Sequence, residues 1–418
     1  MSPAKDSTAK PLNAYRMTAT LKNLVYKLTP TSSSFNVPTI SKKPGEFAKA
    51  PTSDALFPKT TPEVDGDECL HDCASCEVKY PRKFTIDETE ELYGHVKGWS
   101  THLIVATGKS DWVRDVADEK GSIMEAVDKG SVKPTNGKLM LSASNIPIPD
   151  HADHSTTVLL LPSFQFIDNV TPANTPGLIT SFINTGPTNT SPLPGSSIPA
   201  STNSSLPPTL PASESSSADP VSVAAPTISP PPPALSASGL KARPCPHKYL
   251  ILLCSQKTRD ARCGQSAPLL RKEFERQLRP LGLYRDLHDE RPGGVGIYFI
   301  SHVGGHKFSA NVMVYRRGGP KNAKGENGTN ALDAQLEKLN VQNGANGTPE
   351  DKEVVLDANK SQEEDDESGE AAQCIWLARV KPEDCENIIR YTVLQGKVVK
   401  PESQLRGGFD RSKQLVSW

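Results

Sequence analysis

Two cysteines and two histidines in the last half of the chain have the types and spacing of a metal or redox centre. Cys254 directly follows the apolar run KYLILL at 248–253, and Cys263 comes eight intervening residues later, followed by Gly264. His302 and His306 flank Val303-Gly304-Gly305, just after a second apolar stretch, GIYFIS at 296–301. If the two stretches are neighbouring strands, two thiolates and two imidazoles converge beyond their C-terminal ends. That is where open α/β sheets gather their ligands.

Three occupants suit such a set. Zinc accepts two thiolates and two imidazoles, but structural zinc sites mostly use cysteines two to four residues apart. Here eight residues separate the cysteines, and 38 separate Cys263 from His302. A wide loop suits a [2Fe–2S] cluster, which the ligands must span; two Cys on one iron and two His on the other is the Rieske-type arrangement. Gly264, Gly304 and Gly305 would let backbone approach cluster sulfurs closely. Residue type and spacing leave the cluster, a zinc ion and a redox dithiol all open.

The elements that must position these residues can be read from periodicity. The run at 248–253 is continuous enough for a strand buried on both faces. A helix follows at about 267–279, capped by Ser266, with Pro268 in its first turn and Leu270, Phe274 and Leu278 on one face. Segments 296–301 and 311–315 read as paired strands, 375–380 as another, and 382–394 as a helix stopped at Gly396. The order recurs upstream: strand 102–106, helix 111–128, then strands 138–142 and 158–161.

The expected fold is therefore α/β, with two thioredoxin-like (ferredoxin-type) domains in tandem at 66–184 and 244–418. A disordered tail (1–65), a Pro/Ser/Thr-rich disordered linker (185–243) and a disordered insertion (318–371) complete it. The first copy has His151 and His154 near the place of the His pair, but Gly108 and Lys109 where Cys254 would stand. It is expected to be free of cluster.

Composition narrows the class. The 418 residues include 37 prolines and 29 glycines, so much of the chain is not packed core. A net charge of −1 and a pI near 6.8 give no bias toward nucleic acid or anionic membrane. No run of about 18 apolar residues suggests a membrane span. No apolar stretch follows Met1, so the protein is not expected to be secreted. Residues 1–60 are rich in Ser, Thr and Lys, weakly like a mitochondrial presequence, although Arg16 is their only arginine.

The other chemistry-bearing residues are weaker signals. Cys69, Cys73 and Cys76, with His71 among them, could be a metal knuckle, a second cluster, a redox pair or ordinary residues. Cys374 and Cys385 read as core thiols, and Cys245 is assigned no role. Gly108-Lys109-Ser110 has Leu103 where a phosphate loop needs glycine. Gly293, Gly294 and Gly296 precede a strand rather than a helix, against a dinucleotide fold. No carboxylate pair suggests glycoside hydrolysis.

At C-x8-C followed by H-V-G-G-H, the sequence resembles the fungal sucrase/ferredoxin-like family, and within it the group named for altered inheritance of mitochondria. The likeness covers roughly 69–184 and 244–418, and extends to Leu405-Arg406-Gly407-Gly408-Phe409 and Trp418. It implies a thioredoxin-like ferredoxin whose C-terminal domain binds a [2Fe–2S] cluster through Cys254, Cys263, His302 and His306. Such a protein is an iron–sulfur electron-transfer component rather than a substrate-turnover enzyme. Its imidazole ligands raise the potential and can couple it to pH. A flavoprotein reductase is the implied electron donor. Val416-Ser417-Trp418 is similar to the terminal tripeptide by which some clients reach the cytosolic iron–sulfur targeting complex; simple C-terminal packing is the other reading. The compartment stays open between mitochondrion and cytoplasm. The alternative function is a zinc-stabilised or dithiol-based, redox-sensing interaction protein.

Overall fold

The apolar runs become inner strands of one mixed sheet. The computed structural model describes residues 46–148, 155–194, 239–318 and 369–418. In chain order the strands are β1 (Ala48–Lys49), β2 (Thr101–Ala106), β3 (Leu139–Ser144), β4 (Thr156–Leu161), β5 (Gln165–Val170), β6 (Lys241–Pro244) and β7 (Tyr249–Cys254). Then come β8 (Tyr284–Arg285), β9 (Val295–Ile300), β10 (Val312–Arg317), β11 (Ala371–Leu377), β12 (Leu405–Asp410) and β13 (Leu415–Val416). They lie in the order β1-β13-β12-β11-β10-β7-β9-β3-β2-β4-β5-β6, with β8 beside β9.

Each half of the sheet repeats one plan. β2 pairs with β3 in parallel and with β4 antiparallel, and β4 continues to β5. Likewise β7 pairs with β9 in parallel and with β10 antiparallel, and β10 continues to β11. The parallel crossovers carry helix Ile123–Lys129 in the first half and helix Ala261–Leu278 in the second. Both halves close with a helix whose turns widen to i→i+5 bonds, at Ile179–Ile183 and Ile388–Val393. The expected pairing of 296–301 with 311–315 is corrected: β7 lies between β9 and β10. The halves join where β3 meets β9 antiparallel, with Ser144 opposite Ile300. The described residues thus form one compact unit rather than two separate bodies.

Alternation along the strands explains the continuous apolar runs. Leu103, Val105, Ile251, Leu253 and Ile297 join one core with Met124, Leu270, Phe274 and Ile388 from the helices. Ile104, Leu250, Leu252, Tyr298 and Tyr315 join a second core with Trp99, Trp376 and Phe409. Both faces are buried, so no polar alternation is needed. His102 of β2 sits 3.0 Å from the Tyr315 hydroxyl of β10, although β3, β9 and β7 lie between them. In a flat sheet that gap would be about 19 Å. The sheet therefore curls until its second face closes on itself.

Several expected boundaries move. Residues 46–65 do not belong to a tail: β1 pairs with β13, and Leu56 and Phe57 are fully buried, two anchors hidden in a Pro- and Thr-rich composition. The linker is shorter at both ends. Asn189 is buried and donates to Trp99 O at 3.1 Å, and β6 pairs with β5. The long helix starts at Ala261, not near 267, because Asp260 caps it by accepting from Arg262 N at 2.9 Å; Pro268 lies inside it. Conversely, the first-half helix starts only at Ile123, where Ser122 accepts from Glu125 N and Glu125 accepts from Gly121 N. Residues 1–45, most of the linker, the insertion, His151 and His154 lie outside the described residues.

Candidate metal centre

The short connection after β7 makes the site. β7 ends at Cys254, the helix begins at Ala261, and Cys263 therefore falls in its first turn, fully buried. β9 runs parallel to β7 with Ile300 beside Cys254, so the chain leaving β9 passes Cys254 and delivers His302. Cys254 Sγ lies 3.9 Å from His302 Nδ1. The ligating atoms of Cys254, Cys263 and His302 all fall within 4.8 Å of one another. His306 opens the one-turn helix His306–Phe308, four residues beyond His302; its side chain lies outside the described atoms.

The electrostatics of this group are shared. Hydrogen bonding with the Cys263 thiol pulls the Cys254 thiol below its ordinary range against its burial, with help from His302 and the Val303 amide. The same pairing pushes the Cys263 thiol up. A cation placed between the two sulfurs would meet two soft ligands.

The surrounding shell fixes the loops. Gln256, buried two residues past Cys254, accepts from His302 N at 2.9 Å and donates to Val113 O at 2.5 Å. Ser255 Oγ donates to Ser110 O at 2.7 Å. The loop after β2 in the first half is thereby a wall of the site in the second. Beneath the His loop lies Arg406, only 5% exposed. Its guanidinium donates to Gly304 O at 2.9 Å and Asn311 Oδ1 at 2.8 Å, and stacks 4.2 Å from the Trp376 ring. Burial pulls its pKa down to about 10, while Cys254 pulls it back up. Arg406 Nε is buried and makes no hydrogen bond.

The glycines divide by role. Gly305, at φ +67°, has no room for a Cβ because the Arg406 guanidinium packs there. A Cβ on Gly304, at φ +95°, would meet nothing within 4 Å. A Cβ on Gly264 would lie 2.5 Å from Lys257 Cβ, so glycine is needed there for the loop to fold back on the helix. Sequence reasoning missed Gln256, Asn311 and Arg406. The Arg406-Gly407-Gly408 run was visible, but no spacing rule ties it to residues 100 positions away.

The other cysteines do not join. Among the described residues, Cys254, Cys263 and His302 form the one group of three potential ligands this close. Cys69, Cys73 and Cys76 do not converge as a three-thiol knuckle. Cys374 and Cys385 are fully buried, as core thiols should be. Ala106, not Gly108 or Lys109, ends β2 at the position Cys254 holds on β7.

A sequence profile described as sucrase/ferredoxin-like matches residues 92–407, a span that contains all four expected ligands. The chain belongs to the sucrase/ferredoxin-like family. Curated family relatives match over shorter stretches. Actin patches distal protein 1 of Saccharomyces cerevisiae is 55% identical over 67 residues, which are 16% of this chain and 21% of that protein. Altered inheritance of mitochondria protein 32 of Clavispora lusitaniae is 26% identical over 154 residues, 37% of this chain and 33% of that protein. The protein of the same name from Kluyveromyces lactis is 35% identical over 99 residues, 23% of this chain and 26% of that protein. The alignments thus span at most a third of these relatives. No solved structure matches the chain. The family and the Cys/His group together give a redox-related role and a potential metal site.

Proposed function

We propose that the chain is a one-electron carrier holding a [2Fe–2S] cluster through Cys254, Cys263, His302 and His306, in a Rieske-type Cys₂His₂ set. The observation that carries the reading is the approach of Cys254, Cys263 and His302 within 4.8 Å at the ends of two parallel strands. His306 is the fourth ligand by resemblance.

The residues present fit the group. Two buried thiols and an imidazole supply soft and borderline donors. Arg406 Nε is an orphaned buried donor on a cation that senses Cys254. Gly304 leaves open space on the His loop. Bound there, a [2Fe–2S] cluster takes up and releases one electron. The chain's own part is to hold the ligands and set their surroundings. Gln256 fixes the His302 backbone, Arg406 offsets negative charge near Cys254, and burial of both thiols keeps water away. Hydrogen bonds, charge and burial around such ligands are the protein's levers on potential.

The shared strand plan of the two halves supports reading the sheet as two fused thioredoxin-like units, the first without a cluster. A flavoprotein reductase is the proposed donor. The relatives' names link them to mitochondrial inheritance and to actin patches, and we carry both compartments, mitochondrion and cytoplasm, to this chain. Among the described residues no helix is long and apolar enough to cross a membrane. Recruitment by the cytosolic iron–sulfur targeting complex through Val416, Ser417 and Trp418 would have to compete with packing. Ser417 Oγ accepts from Gly408 N at 2.9 Å, and the Trp418 ring lies 4.7 Å from Trp99.

A second reading rests on the same sulfurs: the hydrogen-bonded, unequally acidic pair Cys254–Cys263 would also suit a zinc site or a switchable dithiol. Replacing His302 with Cys separates the two. An electron carrier keeps its visible absorption, with a shifted spectrum and a lower potential. A zinc or dithiol protein stays colourless with either residue.

A further inference from the structure

A second pair of thiols lies apart from the candidate centre. Cys73-Ala74-Ser75-Cys76 is a turn in which Cys76 N–H points at Cys73 O, 3.5 Å away. A four-residue turn brings its end Cα atoms within about 7 Å, and a disulfide needs about 4.4–6.8 Å. The turn is pinned: Cys73 N donates to Glu383 O at 3.0 Å, Asn387 Nδ2 donates to His71 O at 2.8 Å, and Lys400 pairs with Asp72 at 2.6 Å.

The two sulfurs have unlike surroundings. Cys73 Sγ accepts from Gln277 Nε2 at 3.3 Å and from the Arg276 guanidinium at 3.6 Å, both from the long helix. The same two side chains bind Glu273, whose carboxylate is fully buried, at 2.6 Å (Arg276) and 3.0 Å (Gln277). Burial pushes that carboxyl up, but these bonds outweigh it and leave Glu273 below its ordinary range and ionised. The Cys76 thiol donates to Val78 O at 3.2 Å. Cys76 is pushed up to about 11, by burial first and then by Glu273. One sulfur thus has donors suited to a thiolate, and the other holds its proton on a backbone carbonyl. Both thiols are half-buried and border an open cleft of about 710 Å³ whose lining includes Val78, Tyr80, Phe84 and Ile86.

We propose that Cys73 and Cys76 are a redox-active dithiol that exchanges with small peptide disulfides of the glutathione type, Cys73 attacking and Cys76 resolving. The Cys73 thiolate attacks one sulfur of the disulfide; its S–S bond breaks, and the departing thiolate takes a proton from solvent. Cys76 then loses its proton to solvent. Cys76 attacks the Cys73 sulfur, the mixed disulfide breaks, and the second thiolate leaves and takes a proton from solvent. One disulfide is reduced to two thiols while the Cys73–Cys76 pair is oxidised; excess thiol runs the exchange backwards.

The test equilibrates the full chain in glutathione buffers from mostly reduced to mostly oxidised, quenches with acid, alkylates, and maps peptides by mass. The expected result is a Cys73–Cys76 disulfide that follows the square of reduced over oxidised glutathione, with the visible spectrum unchanged. Cys76→Ser should instead trap one glutathione on Cys73. Arg276→Gln should slow alkylation of Cys73 severalfold, because its sulfur loses a charged donor. The proposal fails if both thiols stay reduced across the whole range in the unsubstituted chain, which needs no variant to fold. It fails too if Cys73 reacts no faster folded than in urea, or if the pair holds stoichiometric zinc. A Cys254–Cys263 disulfide appearing in the same maps would sink the cluster reading and leave this one standing.

Discussion

The two halves of the sheet follow one strand plan, yet only the second assembles a Cys/His group among the described residues. At the end of the leading strand the second half has Cys254 and the first has Ala106. The second half goes from strand to helix within seven residues, which folds Cys263 back beside Cys254. The first half spends residues 107–122 on a loop before its helix, and that loop packs against the neighbouring site instead. The comparison teaches that the architecture supplies a position, while the connection length and two residue types decide whether it becomes a site. The first half has become part of the enclosure.

The largest expected effect comes from exchanging those residue types. Cys263→Ser should abolish metal and colour, while Ala106→Cys should add a thiol at the matching strand end and bind no metal; metal analysis of both variants breaks the comparison if Ala106→Cys gains any. Next are the two crossover helices. Phe274, fully buried on the long helix, should cost about 3–5 kcal/mol on truncation to Ala. Val127→Ala on the short helix should cost less, at about 1 kcal/mol; denaturant unfolding measures both. Gln256→Ala removes the tie between the halves, leaving His302 N and Val113 O unsatisfied, and should cost about 1–3 kcal/mol and speed the loss of bound metal to a chelator.

The smallest effect near neutral pH lies where β2 faces β10 across the curled sheet. His102 is fully buried between Tyr315 and Ser142, and burial pulls its pKa from 6.5 to about 3. The folded chain keeps this ring neutral while the unfolded chain protonates it. Stability from His102 is therefore complete above about pH 6.5 and falls as pH drops from there toward 3, by up to about 1.4 kcal/mol per unit. His102→Gln should flatten that part of the stability–pH curve.

Much of this was legible in the sequence, for identifiable reasons. The run KYLILL and the stretch GIYFIS carry both-face burial in their composition, so β7, β9 and the thiol and imidazole at their ends could be placed. Strand neighbours were harder. Nothing local says that β7 inserts between β9 and β10, because that is decided by the parallel crossover through the long helix. The helix start was misplaced because Leu270, Phe274 and Leu278 report only its core-facing turns, whereas Asp260 sets its first one. Arg406 and Asn311 were invisible as site residues because they reach the His loop from β12 and from the end of the turn before β10. Gly264 was seen as a place of close approach, but that Lys257 packs against it was not legible.

The most direct measurement is the visible spectrum of the full chain, expressed with iron and purified anaerobically, together with its iron, sulfide and zinc content. A red-brown protein with about two irons and two sulfides per chain, lost on Cys254→Ser, is the predicted result. A colourless protein that carries one zinc, or stays metal-free after anaerobic reconstitution, would contradict it.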